Sequence, residues 1–405
     1  MGTSMVSRSA TLQDSSNRIG SIDALRCFAM TAVVAQHNGL LPFGWTGVWL
    51  FFVISGYVVT VALLGRQSDL PARRGLARFF RRRALRIVPV YYAYVGLGVL
   101  VCLATGAGTD IVAVGSLLGF INNVAMVLGR GELPSWPVGH LWTISIEMQF
   151  YAVYGLLWFL ASRRTVVVLL LVALLASPVL RLAASFLVAH LGWDSEASAY
   201  AIYSGSFLHT DSFATGALLA LANQRGVLGR IARPLAAAGG VTLAIYASVY
   251  IGLNYAAGDR GLDVFRNVLS GILWGQYRQV FLYTAMAAAA GGLVALAATR
   301  DPLIDWFVRS RLLQRIGEIS YGAYVYHPLA ITVSILLMSA FFQLPPENWS
   351  IGWKITRFLA SYMLTLTTAE LSFRYFESRF TRRHQHGPPR FRTDPLPSAK
   401  GTTLV

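Results

Sequence analysis

Arg26 and His37 lie eleven residues apart in the run 21–38, and His140 and Glu147 lie seven apart in the run 138–151. On a helix, eleven residues is close to three turns and seven close to two. Each pair therefore shares a face, and the first pair is separated by about 16 Å along the axis. Asp23 stands three residues before Arg26, within reach of an ion pair on the same face. Between apolar neighbours such groups turn toward a bundle interior or a cavity. The structural alternatives are that Arg26 snorkels to one surface, that His37 and His140 sit at the opposite interface, and that Glu147 serves as partner to a buried Arg or His. Further along, five arginines crowd the segment 78–86, with Arg83 and Arg86 three apart. Guanidinium forks match phosphate oxygens, so this cluster suits a phosphate-bearing ligand such as coenzyme A as well as a simple topology anchor. His209, Asp211, His327 and Glu370 are the other polar groups inside apolar runs. For His327 a packing or site-shaping role is favoured over catalysis. Asp211 reads equally as a carboxylate supporting the site or as a structural partner.

The elements that must hold these residues are membrane spans. Of 405 residues, 55% are hydrophobic and only 13% charged, where a soluble domain carries roughly 25% charged residues; mean hydropathy is +0.54. Apolar stretches of the length needed to cross a bilayer recur, among them 165–189, 235–253 and 280–298. Ten spans are expected: 21–41, 45–65, 87–106, 138–161, 165–189, 199–222, 234–254, 279–299, 317–342 and 353–376. The first is read as a retained span, since no small-residue cleavage site follows it. The expectation is an all-α integral membrane protein, a bundle of about ten transmembrane helices, because spanning segments must satisfy their own backbone groups.

Charge sets the orientation. The net charge of +16 would suggest nucleic acid in a soluble protein. Here 25 of the 34 Lys and Arg residues fall in the six alternate segments 1–20, 66–86, 162–164, 223–233, 300–316 and 377–405. By the positive-inside rule both termini are cytoplasmic, and no nucleic-acid partner is expected. If the apolar stretch 111–128 crossed as well, 15 of those 25 would change sides, so it is read as a re-entrant or interfacial helix on the outer face. Residues 1–20 form a cytoplasmic N-terminal segment, 21–380 the membrane domain, and 381–405 a disordered basic tail that touches anionic lipid. Cys27 and Cys102 give neither a disulfide framework nor a zinc pattern, and no metal site is expected. No internal repeat of the kind common in secondary transporters is evident.

Six blocks in order resemble the acyltransferase 3 family of membrane proteins: 22–37 with its Asp-x-x-Arg start and Arg-x10-His spacing, 47–60, 78–92, 140–151, 316–328 and 372–377. Together they cover about residues 20–380. There are departures. Met148 replaces the second acid of the usual Glu-Glu-Gln-Phe-Tyr string, His327 is followed directly by Pro328, and no proline follows Glu377. The family's optional extracellular esterase-like domain is not expected here, so the protein would act alone or with a membrane or periplasmic partner protein.

The resemblance implies an O-acyltransferase, acetyl being the first expected group, with cytoplasmic acyl-CoA as donor and its phosphates on Arg82, Arg83 and Arg86. It implies His37 as general base on an acceptor hydroxyl, since imidazole titrates near working pH. Glu147 would orient or compensate His37, and Arg26 would contact the donor or hold the site. Asp23, His140, Trp142, Asp211 and His327 would bind substrate or shape the site. Direct transfer, an acyl-histidine and an acyl-Ser145 intermediate all remain open. The expected acceptor is a sugar hydroxyl of an exopolysaccharide, lipopolysaccharide or glycolipid, with a macrolide-like metabolite second. The expected location is the inner cell membrane, among its lipids. The competing class is a proton-coupled transporter, which would also use buried Arg, His, Asp and Glu.

Overall fold

The computed structural model describes residues 3–65, 71–265, 267–342 and 350–381. The basic tail expected beyond Thr381 therefore lies outside the described residues. Within them the chain is helical, with sixteen α-helices: α1 (Thr3–His37), α2 (Thr46–Leu64), α3 (Ala72–Ala104), α4 (Ile111–Leu118), α5 (Asn122–Val127), α6 (Trp142–Leu160), α7 (Arg163–His190), α8 (Ser195–Ser204), α9 (Thr210–Gln224), α10 (Leu228–Ala256), α11 (Arg278–Thr299), α12 (Pro302–Val308), α13 (Arg311–Glu318), α14 (Ser320–Phe342), α15 (Ile351–Ser372) and α16 (Ser378–Thr381). A 3-10 turn, Gly139–Leu141, leads into α6.

Six helices, α2, α3, α7, α10, α11 and α14, are long and apolar enough to cross a membrane. Helices α1, α6 and α15 run 35, 19 and 22 residues but carry more polar side chains. The stretch 111–128 breaks into α4 and α5, of 8 and 6 residues. At 1.5 Å per residue these are about 12 and 9 Å long, too short to cross. Asp110 caps α4 by accepting from Val112 N at 2.8 Å, which fixes where that helix starts.

Three expected elements differ. The first span, expected over 21–41, is part of a helix that already begins at Thr3 and ends at His37. The third span is part of a longer helix: α3 begins at Ala72, so the arginine cluster is helical rather than a loop. The sixth, expected as one run over 199–222, is interrupted between α8 and α9. Gly205 leaves the helix in extended conformation, and a Cβ there would sit 2.5 Å from Leu208 Cδ1. The His209 ring donates through Nε2 to the carbonyls of Ile202 and Tyr203, both at 3.0 Å. It thereby satisfies acceptors that the end of α8 leaves open, which makes the break tolerable inside a bundle.

The centre of the bundle is α2, packed on α1, α9 and α11. Between helices in lipid, close packing replaces the hydrophobic drive, and small residues allow it. A Cβ at Gly56 of α2 would lie 2.1 Å from Phe213 O, and one at Gly216 of α9 would lie 1.9 Å from Val53 O. The two backbones therefore touch. Phe213 also stacks on Phe52 of α2 (4.7 Å between ring centroids) and on Phe150 of α6 (4.2 Å). That stack fixes α6, and with it Glu147, against α2.

Candidate active site

A partly open cleft, about 690 Å³ when the open solvent within it is counted, is walled by α1, α2, α3, α6 and α14. Arg26, Arg83 and Arg86 line it together with Glu147, Ser55 and Tyr151. The cationic wall arises from helix register: Arg83 and Arg86 of α3 share a face, and α1 brings Arg26 to the same space. Arg26 donates to Asp23 at 3.1 Å. The Arg83 guanidinium lies 5.6 Å from the centre of the Tyr151 ring. The Glu147 carboxylate accepts from the hydroxyls of Ser55 and Tyr151. Val48, Phe51, Phe52, Ile87 and Ile144 complete an apolar lining.

The cleft wall includes a pair of hydroxyls. Thr143 and Tyr324 both line the cleft, and their side-chain oxygens are 2.8 Å apart. The carbonyl oxygen of His140 lies 3.0 Å from the Thr143 hydroxyl and 3.3 Å from that of Tyr324, so one hydroxyl donates to this carbonyl and the other donates within the pair. Next to this wall stands a group of three imidazoles. The ring centroid of His327 is 5.2 Å from that of His37 and 5.2 Å from that of His140. The Tyr324 ring is within 5.6 Å of those of His140 and His327. His37, at the end of α1, is exposed, while His140 and His327 are buried. The sequence distances 37, 140 and 327 give no hint of this convergence.

The structure thus brings Arg26, Arg83, Arg86, Glu147, His37, His140 and His327 into one region, with Asp23 behind Arg26. It leaves others out. Arg82, one residue before Arg83 on the same helix, does not line the cleft. Trp142 is buried against Tyr203, 4.9 Å between centroids, and Phe52, a packing position. Asp211 forms a buried ion pair with Arg181 of α7 at 2.8 Å, away from the cleft. Glu147, expected to orient or compensate His37, has other immediate partners: the carboxylate is held by Ser55 and Tyr151, and the ring packed on His37 is His327. Ser145 is buried with its hydroxyl directed to Leu141 O at 3.4 Å and is not part of the cleft lining. That placement does not suit a nucleophile. Among the described residues, no group of three or more His, Cys, Asp or Glu side chains is arranged to hold a metal ion.

Four residues of the site were missed in the sequence. Thr143 and Tyr151 flank Glu147 at four residues on either side, and Tyr324 precedes His327 by three. Helical spacing alone therefore marked these three as neighbours. Ser55 carries no such mark, because it reaches Glu147 from another helix.

Comparison with known proteins identifies the frame that holds this cleft. A family model described as an acyltransferase domain matches residues 19–369. The chain belongs to the acyltransferase 3 family. Among individual members it is 34% identical over 145 residues to BcsY of Komagataeibacter xylinus, named a membrane-bound transacylase; the match covers 34% of this chain and 36% of BcsY. It is 33% identical over 159 residues to the peptidoglycan O-acetyltransferase OatA of Listeria monocytogenes, covering 36% of this chain and 25% of OatA. It is 24% identical over 379 residues to the O-acetyltransferase OatA of Staphylococcus aureus, covering 88% of this chain and 56% of OatA. The matches therefore span well under two thirds of those acyltransferase 3 relatives. No solved structure gives a significant match. Family and helices agree on a multi-pass membrane protein.

Proposed function

We propose that this chain is a membrane-embedded O-acyltransferase that moves an acyl group, acetyl first, from acyl-CoA to a hydroxyl of a carbohydrate acceptor such as an exopolysaccharide, lipopolysaccharide or glycolipid sugar. The observation that carries the reading is one cleft lined by three guanidiniums and apolar side chains, whose Tyr324 wall lies against His140 and His327 of a three-imidazole cluster. Arg83 and Arg86, with Arg26, supply fixed positive charge for the donor's phosphates. The apolar lining accepts its pantetheine arm and acyl group. The names of the relatives, one of them given for peptidoglycan, support a carbohydrate over a macrolide-like acceptor.

In the proposed step the acceptor oxygen forms a bond to the thioester carbon and the carbon–sulfur bond breaks. His37 takes the hydroxyl proton and returns it to the departing thiolate, so acyl group and proton balance. For the two substrates to meet, Thr143 and Tyr324 must part or the thioester must pass beside them. Ten spans, cytoplasmic termini and an inner-membrane location complete the reading: the positive-inside rule supports the orientation, and the Arg-rich start of α3 then faces the compartment where acyl-CoA is made. The membrane domain is taken as 21–380, between a cytoplasmic segment 1–20 and a basic tail 381–405.

The test uses protein in nanodiscs with radiolabelled acetyl-CoA, following binding and slow thioester hydrolysis. Wild type is expected to bind, Arg83→Ala to bind weakly, and His37→Ala to bind without turnover. A folded wild type that binds no acyl-CoA of any chain length would sink the proposal and favour the transporter reading.

A further inference from the structure

His140 and His327 each carry one ring nitrogen that is buried and lacks a hydrogen-bond partner: Nδ1 of His140 and Nε2 of His327. The other nitrogen of each ring is spoken for. His140 Nε2 lies 3.1 Å from Val325 O and His327 Nδ1 lies 2.6 Å from Tyr324 O. A carbonyl oxygen only accepts, so those two nitrogens carry the protons and the unpartnered ones are bare lone pairs. Buried polar atoms are nearly always paired. Two bare acceptors in one three-ring cluster, beside an exposed third imidazole, are therefore a feature to explain.

The same assignment removes one explanation. A relay through His327 would need its protonated nitrogen to hand a proton onward, but that nitrogen faces the carbonyl of Tyr324, which cannot pass it on. The rings are set up to receive hydrogen bonds, not to conduct protons. A cation site is also a poor fit, since these side chains are not arranged as a metal-binding group. What two fixed acceptors recognise is a ligand with two O–H donors.

We propose that His140 Nδ1 and His327 Nε2 form an acceptor-binding subsite that takes hydrogen bonds from hydroxyls neighbouring the one to be acylated, so that the site selects polyhydroxylated acceptors over single alcohols. The inference rests on the O-acyltransferase reading and deepens it. The exposed His37 packs on His327, so a polyol resting on the two buried rings presents its next hydroxyl to His37. Movement of the His37 side chain uncovers His327 to such a ligand. A site built to bond hydroxyls rejects a ligand lacking one far more strongly than an apolar pocket rejects an extra group, because the acceptors are left unpaired.

The experiment uses the full chain in nanodiscs with 15N-labelled histidine. Signals are assigned with His140→Phe and His327→Phe, and the probes are methyl α-D-glucopyranoside and 2-propanol. In wild type the two bare-nitrogen signals are expected to move saturably toward the hydrogen-bonded position with the glucoside and not with 2-propanol. Silent signals, or signals already at the hydrogen-bonded position without ligand because resident water fills the site, overturn the subsite. His327→Phe is expected to lose the acceleration of CoA release that the glucoside gives in wild type. Retained acceleration also overturns it. Acetyl-CoA binding is measured in the same wild-type sample. Its absence defeats the enzyme reading itself, whereas intact binding with unresponsive histidines defeats only the subsite.

Discussion

Arg181 and Arg86 are both arginines held within helix packing, yet their surroundings are opposite. Around Arg181 the protein supplies acceptors in every direction: Asp211 at 2.8 Å, Val280 O at 3.0 Å, Leu208 O and Thr284 Oγ1. The side chains of the pair are 0% and 1% exposed. Asp211 is completed by the backbone of Ser212 at 3.0 Å. Helices α7, α9 and α11 are pinned together at one point by four of the guanidinium's five N–H groups. Arg86 instead shares its cleft with Arg26 and Arg83. Among the described residues neither Arg83 nor Arg86 forms an ion pair, and the one carboxylate lining the cleft is engaged by hydroxyls. Gathered like charge costs stability and is retained where a partner arrives from outside; charge with a complete set of partners is architecture.

The largest effect that would test this contrast is on stability. Arg181→Leu is expected to lower it by about 3–5 kcal/mol, because the buried Asp211 loses its partner. Arg181→Leu combined with Asp211→Leu is expected to recover most of that loss. Thermal unfolding in detergent measures both, and a single variant as stable as wild type would break the contrast. Arg83→Ala is expected to do the reverse: unfolding unchanged, acetyl-CoA affinity down about 10- to 100-fold, the range of one or two charge-assisted hydrogen bonds. Smaller again, Tyr324→Phe removes the bond to Thr143, costs about 0.5–1.5 kcal/mol, and is expected to raise acetyl-CoA hydrolysis as water reaches the thioester.

The smallest effect is at the exposed pair Asp110–Arg130, joined by two hydrogen bonds of 2.9 Å. Arg130, and after it the Val112 amide, hold the Asp110 carboxyl below the usual aspartate range. A lowered pKa means that the stabilisation is present above the ordinary aspartate value and is lost as pH falls through the lowered one. Hydrogen exchange in the first turn of α4 is expected to be steady near neutral pH and to quicken only in acid. Asp110→Asn should leave thermal unfolding at neutral pH unchanged.

Legibility in the sequence followed the range of the interactions. Helical spacing exposed Asp23–Arg26, the shared face of Arg83 and Arg86, and the polar face of α6, all of which depend on residues within a few turns. The apolar runs located the long helices, and the basic asymmetry argued against a crossing at 111–128. What failed depended on contacts between helices. Arg181 sat unnoticed inside the apolar run 165–189, because its partner lies thirty residues away on α9. The break at 205–209 had a local mark in Ser204-Gly205-Ser206 and the polar run 209–212, but what makes it tolerable, the His209 ring bonding back to α8, shows only in three dimensions. His327 was placed near the site, but its contact with His37 joins opposite ends of the chain.

The 2.8 Å bond between Thr143 and Tyr324 has a consequence for the cell as well as for the reaction. On the proposed topology a polar cleft enters from the cytoplasm while His37 opens toward the other face. On that reading the Thr143–Tyr324 pair stands between the cleft and the side on which His37 is exposed, so the two hydroxyls that separate donor from acceptor would also limit the passage of ions and protons.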